Sequence, residues 1–206
     1  MAETRFSLIR HAIVEENARA YLYGTMDVEL CPHSLEAQGP MYEALGQRLP
    51  RPAIWVVTPL SRTRRTAEAI FRAGYPAVPL SVEPDLIEQS LGEWQGLPHA
   101  ELPERLTLPA HAFWPLGGKE HPPGGESMDH VIGRVGAALE RLAGRHAGED
   151  VVAVSHGGAI RAAVAYALRI EPDNALHLSV NNLSLTRMER HARGWRVVCV
   201  NEMPGY

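Results

Sequence analysis

Cysteine is nearly missing: Cys31 and Cys199 are the two present in 206 residues. That count excludes a disulfide framework and a thiolate metal centre, and two free thiols fit a reducing compartment, although one bridge between them stays open. Long apolar runs are missing too. The stretch from Ala162 to Leu168 is bracketed by Arg161 and Arg169, far short of the roughly 20 residues that span a bilayer. The opening MAETRFSLIRHAIVEEN has no cationic start followed by an apolar core, so no signal peptide is expected. Neither sign of charge dominates, with 20 Lys and Arg against 24 Asp and Glu. Without a basic run, nucleic-acid and acidic-membrane surfaces are excluded. There is no Gly-x-Gly-x-x-Gly and no Walker-type loop, so no nucleotide cofactor is expected. His99, His111, His121 and His130 are scattered through or beside loop sequence without ligand spacing, so no required metal is expected. The expectation is a cytoplasmic protein without cofactor.

What is present reads as one α/β domain over residues 1–206, with 45% hydrophobic residues and 21% charged. Candidate strands are Arg5 to Ile9, Ala53 to Thr58, Pro79 to Val82 and Val151 to Ser155. The second and fourth are almost continuously apolar, as strands covered on both faces are. Helical spacing is read over Ser61 to Ala73, closed by Gly74, over Ser127 to His146, and over Gly158 to Leu168. Leu183 to Glu189 and Trp195 to Asn201, about a turn at Gly194, predict an antiparallel hairpin. The Pro-, Gly- and His-rich segment at about 97–125 predicts a lid-like insertion that walls a substrate pocket. The segment from Asp27 to His33 is expected near the pocket rim.

The chemistry-bearing residues stand where these strands end. Arg10 and His11 follow FSLI, His156 follows VVAVS, and Arg62 comes just after AIWVVT. Ligands of open α/β sheets bind beyond the carboxyl ends of the strands, so separate strands deliver these side chains toward one place. Phosphoryl transfer suits such a cluster, because its catalysis is mostly positioning and charge stabilisation. Two guanidinium forks can hold phosphate oxygens. A neutral imidazole, kept unprotonated by neighbouring arginines, can attack phosphorus.

The local motifs sharpen this. They run in order as Leu8-Ile9-Arg10-His11-Ala12, Thr58-Pro59-Leu60-Ser61-Arg62-Thr63-Arg64-Arg65-Thr66-Ala67, Leu86-Ile87-Glu88-Gln89-Ser90-Leu91-Gly92-Glu93-Trp94-Gln95-Gly96, Gly124-Gly125-Glu126-Ser127 and Val154-Ser155-His156-Gly157-Gly158-Ala159-Ile160-Arg161. In that order they resemble the histidine phosphatase (phosphoglycerate mutase-like) superfamily over nearly the whole chain. Ala12 stands where that family's opening motif has glycine.

The resemblance implies a three-layer α/β/α sandwich with a mostly parallel central sheet. It implies that His11 is the nucleophile, that Arg10, Arg62 and His156 bind the phosphoryl group, and that Glu88 is the proton donor. It places an additional phosphate-binding asparagine at Asn17. The Gly157 N–H, starting the helix after its strand, is expected to face a phosphate oxygen. Trp94 is read as packing below the site, and Ser127 as a helix cap. The reaction implied is metal-independent hydrolysis of a small phosphomonoester through phosphohistidine. The alternatives are mutase-type phosphoryl transfer and a non-catalytic phosphate-binding protein of the same fold. The particular ester and the oligomeric state are not legible.

Overall fold

The computed structural model describes residues 2–205. In chain order its elements are β1 (Thr4–Arg10), α1 (Glu16–Arg19), α2 (Pro32–Ala37), α3 (Gly39–Arg48), β2 (Ile54–Val57), α4 (Ser61–Arg72) and β3 (Leu80–Val82). Then follow α5 (Met128–Arg145), β4 (Asp150–Ser155), α6 (Gly157–Leu168), α7 (Pro172–Leu176), β5 (Leu185–His191) and β6 (Gly194–Glu202). The strands form one six-stranded sheet in the order β3-β2-β4-β1-β5-β6. The first four of that order are mutually parallel, and the β5–β6 hairpin adds to the β1 edge in antiparallel sense.

Side chains that alternate along a strand point to opposite faces, and both faces here are apolar. Phe6, Leu8, Val56, Val151 and Ala153 meet α5 and α6 on one side. Ile9, Trp55, Val57, Val152 and Val154 meet α3 and α4 on the other. The result is a sheet between two helical layers. Helix α5 starts where the Ser127 side chain accepts a hydrogen bond from the His130 N–H, and it buries Val131, Val135, Ala138, Leu139 and Leu142. Helix α6 buries every residue from Gly157 to Ala165, as its nearly all-round apolar sequence requires. Among the described residues, no helix is long and apolar enough to cross a membrane.

The register fixes what stands at the sheet's carboxyl edge. Arg10 lies beside Ser155 and Val57 beside Val154, so His11, His156 and Thr58 leave the sheet together. The segment at 97–125 has little regular structure beyond a 3-10 turn at His99–Glu104, yet it is held down. Glu120 is 1% exposed, and its carboxylate accepts hydrogen bonds from the Thr107 N–H, the Thr107 hydroxyl and the Leu108 N–H. Leu102 and Leu116 of this segment pack with Leu22, Leu91 and Trp94 in a small apolar cluster of their own.

Candidate active site

Arg10 ends β1 and His11 follows it, Thr58 follows β2, Arg62 lies in the first turn of α4, and His156 stands between β4 and α6. His11 is 1% exposed, and Arg62 and His156 are 0% exposed. The two imidazole rings lie 5.2 Å apart, edge to face. Nδ1 of His11 is 2.7 Å from the Ala12 carbonyl oxygen. A carbonyl can only accept, so Nδ1 carries the hydrogen and Nε2 keeps its lone pair. Nε2 of His156 is 2.9 Å from the Thr58 hydroxyl.

The arginines are fixed by main-chain carbonyls. Arg10 donates to Val180 O at 2.6 Å, and Arg62 donates to Met26 O and Gly24 O at 2.7 and 2.8 Å. The Thr66 hydroxyl donates to Arg62 O and accepts from the Ala12 N–H, which ties α4 to the end of β1. Behind Arg10 sits Arg161, whose Nε donates to Leu178 O and whose guanidinium lies 4.4 Å from the Trp114 ring centroid. Burial and the Arg10 charge push Arg161 down to about 10, so it is still a cation at neutral pH.

Among the described residues, buried polar atoms without a protein partner occur on Gln38, Tyr42, Trp55 and Ser184, and four more belong to this site. The four are Arg10 Nε, Arg62 Nε, His156 Nδ1 and a terminal nitrogen of Arg161. Leaving such a donor unpaired costs about 1–3 kcal/mol, so their concentration here fits a site built to receive an oxygen-rich anion. Glu88 is near enough for its charge to act on Arg62 and Arg161. Its carboxylate accepts from the Gly158 N–H at 3.2 Å and from its own neighbour, the Gln89 N–H, at 3.0 Å. The loop that carries Glu88 is clamped by Arg134, which donates to the carbonyls of Asp85, Ile87 and Glu88 and pairs with Glu126. A Cβ on Gly158 would lie 2.3 Å from Glu88 Oε1, so only glycine leaves the carboxylate where it is.

Burial, then the charges of Arg62 and Arg10, push the His11 imidazole well below its usual value. His156 is pushed down likewise, by burial first and then by Arg62, His11 and Arg10. Both rings are therefore neutral in the folded protein. Below the unfolded value of about 6.5 the unfolded chain takes up protons that the folded chain refuses, so stability falls as pH falls. Each ring contributes a loss of up to about 1.4 kcal/mol per pH unit in that window. Urea denaturation followed from about pH 7.5 to about 5.5 should show this decline, and a His11→Asn variant a shallower one. Equal slopes for the two proteins would contradict a neutral buried His11.

A cavity of about 300 Å³ opens above this layer. Arg10 and Glu88 contribute to its lining, and so do His99, Trp114, Pro115 and Leu116 of the 97–125 segment. His11, Arg62 and His156 are not part of the lining and lie buried. Gly157 begins α6, with the position of a Cβ 3.4 Å from Arg10 Nε. Asn17 is exposed on the short helix α1, between Val14 and Arg19 of the cavity lining, and like His11, Arg62 and His156 it is not itself part of that lining. The asparagine that lines the cavity is Asn182, whose amide donates to His11 O and Ala12 O. Its position before the β5–β6 hairpin carried no signal in the sequence. The hydroxyls of Thr58 and Thr66 were legible only as members of the Arg62 motif. Nor do Asp27 to His33 reach the lining; Asp27 instead accepts from the Ser61 N–H and hydroxyl at the start of α4.

The sequence profile of the histidine phosphatase superfamily (branch 1) matches residues 6–203. A metal-independent phosphoserine phosphatase of Arabidopsis thaliana is 34% identical over 160 residues, which are 77% of this chain and 66% of the plant protein. A glucosyl-3-phosphoglycerate phosphatase of Mycolicibacterium vanbaalenii is 32% identical over 202 residues, 94% of this chain and 87% of that one. The native structure of a mycobacterial glucosyl-3-phosphoglycerate phosphatase superposes with a TM-score of 0.78 at 26% identity, covering 97% of this chain and 99% of the other.

Proposed function

The chain belongs to the histidine phosphatase superfamily, and from that premise we propose that it hydrolyses a small phosphomonoester without a metal, through a phosphohistidine on His11. The observation that carries this reading is the set of unpartnered nitrogens on Arg10, Arg62 and His156 around a neutral histidine. In the first step the Nε2 lone pair of His11 attacks phosphorus, the ester P–O bond breaks, and Glu88 passes its proton to the departing alkoxide. Arg10, Arg62 and His156 stabilise the equatorial oxygens as charge shifts across them. In the second step Glu88, now a carboxylate, takes a proton from water as that water attacks the phosphohistidine. Inorganic phosphate leaves, and both residues return to their starting protonation. Two free thiols, Cys31 and Cys199, suit a reducing cytoplasm as the place of this work.

The test is turnover of an aryl phosphate in excess chelator, with the reaction quenched in alkali. Acid-labile, alkali-stable phosphate on His11 is the expected result. Turnover without any phosphoenzyme, or turnover lost to the chelator, would overturn the reading. Thr58 is assigned the task of holding His156 through the 2.9 Å contact at Nε2. Thr58→Val should lower kcat about 10- to 100-fold while KM stays within a few fold, because a positioned donor acts mostly in the transition state. Thr58→Ser should restore most of the rate. Equal losses in both variants would assign Thr58 to packing alone.

A further inference from the structure

The cavity above the phosphate cluster has two chemically distinct halves. Its floor is polar and charged, with Arg10 and Glu88. Its walls are formed by Ile13, Val14, Leu22, Leu91, Trp114 and Leu116, of which Val14, Leu22, Leu91 and Leu116 are buried. The amide side chains that share the walls are tied to the main chain: Gln89 donates to Glu126 O, and Asn182 to His11 O and Ala12 O. Above the floor the only permanently charged side chain in the lining is Arg19, and it is exposed, as is His99. Tyr21 is 45% exposed and lines the cavity beside Leu22 and Tyr23. The Trp114 ring is held in place by its stack on Arg161.

A phosphomonoester seated on the floor must send its alcohol portion up between these walls. A strongly solvated alcohol, one that carries a carboxylate or an ammonium group, would give up water there and meet no fixed counter-charge below the rim. A ring-bearing neutral alcohol would exchange water for aromatic and aliphatic contact. The volume of about 300 Å³ leaves room for a body of one or two rings beyond the phosphoryl group. We propose that this protein selects phosphate monoesters of neutral, ring-bearing apolar alcohols over those of small charged alcohols. The assignment of the substrate class rests on the phosphatase reading, whereas the selectivity of the cavity can be measured without it.

Non-hydrolysable phosphonates separate the two. Calorimetric titration of the full chain with 3-phenylpropylphosphonate, 2-amino-3-phosphonopropionate and inorganic phosphate compares the bodies on a common head group. The phenyl compound should bind about 10- to 100-fold tighter than the amino acid analogue, the range that apolar pocket contacts supply. Ile13→Asn should remove about tenfold of that advantage, read against inorganic phosphate as the internal reference. Tyr21→Ala, at a half-exposed ring, gives a second variant that does not disturb the core and should act in the same direction. Equal or reversed affinities would overturn the inference. So would variants that weaken all the ligands alike, since the change would then lie in the phosphate cradle. Turnover distinguishes the failures: comparing 2-phenylethyl phosphate with O-phosphoserine matches alkyl leaving groups. Turnover with phosphoserine preferred sinks this inference alone. Tight phosphonate binding with no turnover of any ester sinks the phosphatase reading and leaves the cavity's preference standing.

Discussion

His11→Ala should lower kcat by about 10⁴-fold or more on every phosphate ester, because no other group can take the place of a covalent nucleophile. Three features meet in that side chain. The Ala12 carbonyl holds Nδ1, so the basic nitrogen is Nε2. Burial with Arg62 and Arg10 nearby keeps the ring neutral, so its lone pair is available well below neutral pH. The ring lies 5.2 Å from that of His156, a distance at which both can address one phosphoryl group. The measurement is a single-turnover assay with an aryl phosphate, followed by intact-mass analysis for a gain of one phosphoryl group. Wild type should show burst and mass gain, and the variant neither. Residual turnover within tenfold of wild type would mean that the nucleophile lies elsewhere.

The second large effect concerns Glu88 and depends on the leaving group. An alkoxide needs a proton as its bond breaks and an aryloxide hardly does, so Glu88→Gln should cost about 10²- to 10⁴-fold on alkyl esters and far less on aryl esters in the first step. Gly158→Ala is expected to reproduce that pattern in weaker form. Its methyl group would need the space of Glu88 Oε1, now 2.3 Å from the Cβ position, and would displace the carboxylate without removing it. Burst rates for a matched pair of alkyl and aryl esters read the difference directly. Identical losses on both esters would show that Glu88 is not the acid. An unaffected Gly158→Ala would show that the carboxylate works from another position than the one beside α6.

The legible parts of this molecule were those that repeat locally. Apolar runs such as Val151 to Ser155 announce a buried strand whatever lies around them, and the histidine after such a run must emerge at the sheet's edge. The fold and the gathering of Arg10, His11, Arg62 and His156 followed from that, together with the family resemblance. Helix α3 was not read, because its Gly39-Pro40 start and its few buried residues, Tyr42, Leu45 and Gly46, give no strong period. What holds Arg62 was not legible either. Its acceptors, Gly24 O and Met26 O, are main-chain atoms far away in sequence, and any residue type supplies a carbonyl. Asn17 came from the family resemblance alone, and the structure leaves it exposed on the short helix α1 between two residues of the cavity lining, Val14 and Arg19. Asn182 reaches the cavity through a loop whose path depends on the Leu183 N–H donating to Arg10 O, a long-range contact invisible to any local pattern.

Those same carbonyl anchors set a limit on throughput. Because Arg10 and Arg62 are held by Val180, Gly24 and Met26 before anything binds, the cradle gives up little freedom on receiving an anion. On the proposed reading it should therefore grip released inorganic phosphate as well as the phosphoryl group of an ester. A rigid receptor for the reacting group is also a receptor for the spent product, so on that reading net flux should slacken as phosphate accumulates around it.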